Sequence, residues 1–289
     1  MEKERVSDVC LLCVAAIWGI NFVAVKFLLT EVSPVNLIFV RFFFGSILLF
    51  LLLFFFEDVK MPTKDLWRVA FLGLVGITLY QFLFTYALKT TSVTNVSIII
   101  NSAPLYGGVL SSLLGFEKFN GKRALGAVAG FFGVFIIITK GNFYLDAGST
   151  AGNLLAVGAS FLWALYTILS KPLLDRYPPL KVTTYSMITG SILFFPFVPF
   201  YSDFEEYAHL SVAGWVILTC TVIFSVVVAF FLWYRAVSKI GPSRTIIYQY
   251  AIPVFAAVFA WLLLGEKIYV SQIAGAAIVF SSIWFVRRG

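Results

Sequence analysis

One arginine, Arg41, stands inside an otherwise uncharged apolar run, VRFFFGSILL. A charge placed in hydrocarbon is costly, and the cost must be offset, so such a residue reads first as functional. Two roles fit it. The guanidinium could attract a substrate carboxylate, or it could snorkel to the outer surface or bind carbonyls at a helix end. Around it in the sequence are aromatic and amide residues at suggestive spacings: Trp18 and Asn21, Tyr80 and Gln81, Asn101, Trp163 and Tyr166, Trp233, and Tyr248 and Gln249. Asn21 lies three positions after Trp18, and Tyr166 three after Trp163, so each pair shares a helix face. Such sets suit small organic molecules with an apolar body and a few polar groups. The same residue types also form interfacial belts and bond neighbouring helices.

The chemistry that is missing narrows the field. All 14 Asp and Glu fall in loops or at the ends of apolar runs. Proton-coupled export of cations generally needs an acid within the membrane, so facilitated diffusion or exchange is expected instead. The lone histidine, His209, falls in a loop. There is no H-E-x-x-H, Walker A or G-x-S-x-G pattern, so neither an enzyme nor a cofactor is expected. Cys10 and Cys13 have C-x-x-C spacing but no second ligand pair nearby; with Cys220 they read as apolar helix residues.

These residues must be positioned by helices that cross a membrane. The chain of 289 residues is 61% hydrophobic and 12% charged, against about 45–50% apolar and about 25% charged in a soluble domain. The apolar runs are continuous and about 20 residues long, the length that spans hydrocarbon as a helix; a barrel would alternate in shorter units. Ten spans are predicted, at 8–29, 34–56, 67–89, 92–115, 121–140, 151–171, 179–200, 211–236, 243–265 and 270–287. The first is too long for a leader peptide and is expected to remain. Of the 21 Lys and Arg, sixteen fall on the side of the termini, four on the other, and Arg41 within a span. The positive-inside rule then places both termini in the cytoplasm of a multi-pass protein of the cell membrane. It also accounts for the net charge of +7 without a nucleic-acid partner.

The chain repeats itself. At an offset of 145, Trp18 matches Trp163, Pro34 matches Pro179, and GSIL at 45–48 matches GSIL at 190–193. Farther on the offset becomes 149, pairing Ala87 with Ala236, Pro104 with Pro253, and Glu117-Lys118 with Glu266-Lys267. The unit is five helices, residues 1–145 and then 146–289. Five is odd, so the second copy enters the membrane inverted, a recurrent transporter design. Pro104 and Pro253 sit at equivalent interior positions, where a lost helical hydrogen bond could make a hinge. Gly126 and Gly130 form G-x-x-x-G, which allows close helix packing. Packing within a monomer is preferred to dimerisation.

Ten helices in a 5+5 inverted repeat, LLGFEK and LLLGEK closing the fourth and ninth, and VRFFFGSILL in the second together resemble the drug/metabolite transporter superfamily, in its EamA-like branch. The resemblance spans essentially the whole chain; Phe116, between Gly115 and Glu117, is a local departure. It implies a central cavity between the halves, lined mainly by helices 1, 3, 4, 6, 8 and 9, on which the aromatic and amide residues fall. It makes the Arg-Phe pair at 41–42 a feature of the fold, which favours a structural role for Arg41. It also implies export of metabolites, amino acids among them. The expectation is a secondary transporter of small, amino-acid-like molecules working by alternating access. A lipid-carrier flippase of the same fold, whose cavity would open sideways to lipid, and a non-transporting receptor or assembly subunit are the alternatives.

Overall fold

The computed structural model of the chain describes residues 2–141, 149–264 and 267–288, and these are helical almost throughout. The helical stretches in chain order are α1 (Glu2–Leu28), α2 (Pro34–Phe56), α3 (Thr63–Thr90), α4 (Val93–Leu113) and α5 (Gly121–Thr139). A second set follows: α6 (Thr150–Leu174), α7 (Pro179–Tyr201), α8 (Val212–Ile240), α9 (242–264) and α10 (Val270–Arg288). Among the described residues, nine of these are long and apolar enough to cross a membrane. The tenth, α9, occupies the place in the second set that α4 holds in the first. Gly265, Glu266 and Asp146 lie outside the described residues, so the second Gly-Glu-Lys signature is not described in full.

Several helices run beyond the apolar spans. α1 begins at Glu2 rather than near residue 8, because Asp8 is neutralised within the fold: it pairs with Arg287 of α10 at 2.7 Å and accepts from Tyr248 of α9 at 2.6 Å. α3 begins at Thr63, and Asp65 in its first turn is fully buried. Arg68, Arg176 and Tyr177 surround that carboxylate, tying the first half to the α6–α7 connection. The hydrogen bond to Asp65 holds the Tyr177 phenol above its ordinary range.

Both halves interrupt their helices at matching places. A π-helical segment, with i→i+5 bonding, lies at Leu74–Leu79 in α3 and at Thr221–Val228 in α8. α4 breaks at Asn101–Ser102, between Val93–Ile100 and Ala103–Leu113. α9 tightens to a 3-10 turn at Ile247–Tyr250 before Ala251–Leu264. Pro104 and Pro253 therefore stand in the first turns of new helical segments, where a missing N–H leaves no bond unmade. The expected mid-helix kinks are breaks placed just ahead of the prolines. Gly115, at φ +74°, ends α4. Phe116 continues that turn, its N–H donating to Ser111 O at 3.0 Å. This brings Glu117 back to accept from Ser111 Oγ and the Ser243 amide.

Residues touch their own repeat partners. The Trp18 and Trp163 rings are 5.1 Å apart, Ser46 Oγ and Ser191 Oγ 3.0 Å, and Gln249 Nε2 donates to Ile100 O at 2.9 Å. A residue meets its mate only on a twofold axis, as in an isologous contact. The two halves are thus related by an approximate twofold that runs through the centre. α5 and α10 pack so closely that a Cβ on Gly133 or Gly275 would press on the other's carbonyl oxygen, at 2.8 and 2.7 Å. Ser282 Oγ reinforces that seam by donating to Gly126 O at 2.6 Å. The small residues of α5 are therefore used within the chain.

Candidate functional site

The interruptions and the twofold converge on one small chamber. α1 contributes Trp18, Asn21 and Phe22; α2 contributes Arg41; α3 contributes Tyr80, Gln81 and Phe84. Ile100 of α4 and Trp163 of α6 face Ser225 and Phe230 of α8 and Gln249 and Ile252 of α9. The enclosed volume is about 40 Å³. That admits a water molecule, which needs at least about 10–15 Å³ by this measure, but no organic substrate. The site is shut in this structure.

Aromatic rings do the closing. Trp18 and Trp163 meet edge to face at 84°, and Trp233 lies 5.2 and 5.3 Å from them. Phe230 and Tyr80 complete the wall, 5.9 and 5.1 Å from Trp163. Edge-to-face and tilted pairs at these separations are the favoured ones. The ends of the bundle are tied as well. At one end Lys26 donates to Leu88 O, and Lys89 to Leu29 O; at the other are the Asp8, Asp65 and Glu117 clusters.

The polar atoms of the chamber are incompletely matched. Arg41 is 2% exposed, so it does not snorkel. Its Nη2 donates to Asn21 Oδ1 at 3.1 Å, but Nε and Nη1 have no partner among the described residues. The Phe42 ring lies 5.7 Å from the guanidinium carbon, a weak cation–π contact. Gln249 uses its amide N–H₂ on Ile100 O, which leaves Oε1 facing no donor. Trp18 Nε1 donates to Ser225 O at 3.2 Å, whereas Trp163 Nε1 has no partner. A buried cation with free N–H groups is a costly arrangement. An arriving carboxylate would satisfy it with charge-assisted hydrogen bonds. Among the described residues Arg41 is the only charged one lining the chamber, and its mate at offset 145 is Ser186, so the twofold is broken in charge.

Seven expected site residues line this chamber: Trp18, Asn21, Arg41, Tyr80, Gln81, Trp163 and Gln249. Four do not. Trp233 forms the backing behind the two tryptophans, its Nε1 donating to Thr167 Oγ1 at 3.1 Å. Tyr166 lies over Gly76, where a Cβ would collide with its ring. Asn101 sits at the break in α4, bonded to Ser97 O at 2.7 Å. Tyr248 is turned to Asp8 at the end of the bundle. Among those missed, Phe230 stands three residues before Trp233, a spacing that puts both on one helix face. Ser225 is the repeat mate of Gly76, inside a π-helical segment that no periodicity marks. Among the described residues no three His, Cys, Asp or Glu gather as metal ligands.

A closed, aromatic chamber on the twofold of an inverted helical repeat defines a membrane transporter. The chain belongs to the EamA-like transporter family, whose profile matches it twice, over residues 6–139 and 150–288. It is thus a multi-pass membrane transporter, not an enzyme, that lies in a lipid bilayer and takes a small-molecule substrate. An uncharacterized transporter of Archaeoglobus fulgidus is 32% identical over 87% of this chain and 86% of its own. The uncharacterized transporter YetK of Bacillus subtilis is 28% identical over 98% of this chain and 87% of its own. A protein of Streptantibioticus cattleyicolor, described as a "Probable terminal-alkyne amino-acid exporter", is 24% identical over 80% and 76% of the two chains. A solved crystal structure superposes with a TM-score of 0.78, covering 97% of this chain and 96% of that one at 17% identity, a likeness of fold alone.

Proposed function

We propose that this transporter moves small, amino-acid-like metabolites out of the cell across the cytoplasmic membrane, with both termini in the cytoplasm. The carrying observation is Arg41, a buried guanidinium with two unpartnered N–H groups facing a closed aromatic chamber. The substrate carboxylate docks there. Its ammonium group lies against Gln249 Oε1 and the faces of Trp18, Trp163 and Tyr80, which favour a cation. The halves 1–145 and 146–289 exchange conformations about the twofold, with Pro104 and Pro253 at the breaks that flex. Among the described residues no acid lines the chamber, so transport runs on the substrate gradient rather than on protons. The named exporter relative is consistent with cargo and direction.

Counterflow of radiolabelled phenylalanine in proteoliposomes tests this reading. Arg41→Gln removes charge-assisted bonds that contribute about 1.5–3 kcal/mol, so apparent affinity falls about 10- to 150-fold, and Arg41→Lys recovers part of it. Trp18→Ala and Trp163→Ala each weaken binding of the same substrate while folded protein persists. Wild-type affinity in folded Arg41→Gln would refute the carboxylate site.

A further inference from the structure

A cleft of about 640 Å³ opens on the outside of the bundle between α1 and α8. Its walls are apolar: Ile17, Ile20 and Ala24 face Val216 and Phe224. Three polar residues, Asn21, Thr221 and Ser225, also line it, and Asn21 and Ser225 line the central chamber too. The chamber and the cleft therefore share those two residues as a common wall. Thr221 Oγ1 is satisfied by Leu218 O at 2.8 Å, so the polar link between cleft and chamber is Asn21 and Ser225. A second groove, about 460 Å³ between α2 and α7, shows the contrast. It shares no residue with the chamber, and its two serines, Ser46 and Ser191, bond to each other.

The thin wall is also the point that holds Arg41 and Trp18. Asn21 Oδ1 accepts from Arg41, and the Ser225 carbonyl accepts from Trp18 Nε1. Ser225 lies in the π-helical segment of α8, and such segments gather at functional sites. Parting Asn21 from Ser225 would join a buried, incompletely paired cation to an apolar trough. The unmatched cation lies in the small chamber and the apolar volume, about 640 Å³, lies in the cleft beside it. Charge and shape thus point to one kind of occupant: an anionic head with an apolar tail.

We propose that the protein takes amphiphilic carboxylates directly from the bilayer through the α1–α8 cleft, the head reaching Arg41 past Asn21 and Ser225 while the tail rests between the helices. This rests on the chamber being the transport site, and adds to it the source and shape of the cargo.

The test uses dodecanoate carrying a mid-chain diazirine, photolysed in proteoliposomes of the full chain, with adducts mapped by peptide mass spectrometry. The expected result is a several-fold excess of adducts on Ile17, Ile20, Val216 and Phe224 over Phe43 and Ile192 of the α2–α7 groove. Unlabelled dodecanoate removes the excess, and the matched diazirine alcohol does not produce it. Ala24→Phe fills the cleft with Arg41 intact and also removes it; Arg41→Gln does so from the other end, with Arg41→Lys keeping part. Equal labelling by the acid and the alcohol would overturn the proposal, because the cleft would then be an ordinary lipid groove. So would an excess that survives Ala24→Phe. Downhill phenylalanine transport without head-group-dependent labelling sinks the lateral route and leaves the transport site standing. Head-group-dependent labelling without transport of any carboxylate sinks the transport site and leaves the cleft as a binding site.

Discussion

Trp18 and Trp163 are repeat mates in one aromatic cluster, yet replacing each with phenylalanine should change stability by different amounts. Both changes remove a similar volume from the same cluster, so the packing loss largely cancels in the comparison. The indole N–H groups do not cancel. Trp18 Nε1 donates to Ser225 O within the buried wall. Losing that bond costs about 0.5–1.5 kcal/mol. Trp163 Nε1 is buried with no partner, and removing such a donor relieves a desolvation cost of about 1–3 kcal/mol. Trp163→Phe should therefore be more stable than Trp18→Phe by about 1.5–4.5 kcal/mol. The assay is thermal unfolding in mild detergent without substrate, followed by loss of the monodisperse chromatographic peak, with equilibrium denaturant titration as a second measure. Equal midpoints, or a less stable Trp163→Phe, would refute the reasoning. The same asymmetry bears on alternating access. The proposed exchange of the halves would carry the Trp18–Ser225 contact to its mates, Trp163 and Gly76. Trp163→Phe should then hold the protein in the present closed form and slow counterflow, while Trp18→Phe loosens that form.

Three other outcomes are expected. Single cysteines near Lys60, Lys122 and Lys239 should be shielded from an impermeant reagent in intact cells while one near Glu206 is labelled; the reverse pattern would overturn the assigned orientation. Downhill substrate flux in proteoliposomes should persist with no pH difference across the membrane, and strict dependence on that difference would show a proton route that the chamber residues do not supply. Asp65→Asn should lower the unfolding midpoint, because Arg68, Arg176 and Tyr177 lose the carboxylate they share. An unchanged unfolding midpoint would remove that cluster from the contacts joining the two halves.

Much of this protein is legible in one dimension. Hydrocarbon thickness sets span length, so ten apolar runs announce ten helices, and the Lys and Arg bias gives the orientation proposed for them. The twofold follows from matched residues at two offsets and an odd number of helices. Seven of the eleven expected site residues line the chamber, because helical spacing fixes which residues share a face.

Other features came only with the tertiary structure. Trp233, Tyr166, Asn101 and Tyr248 are on the expected helices, yet helix rotation turns each to a neighbour outside the chamber, and rotation is set by packing rather than by local pattern. The π-helical segments and the break ahead of Pro104 shift register within continuous apolar runs, where hydrophobicity has no period to betray them. The pairing of half-buried Asp8 and buried Asp65 depends on Arg287 and Arg176, partners 279 and 111 residues away. Arg41 is the clearest case. Its position in an apolar run declared a charge within the membrane, but whether that charge was matched depended on every group around it. Only the packed structure placed Asn21 on one nitrogen and nothing on the other two.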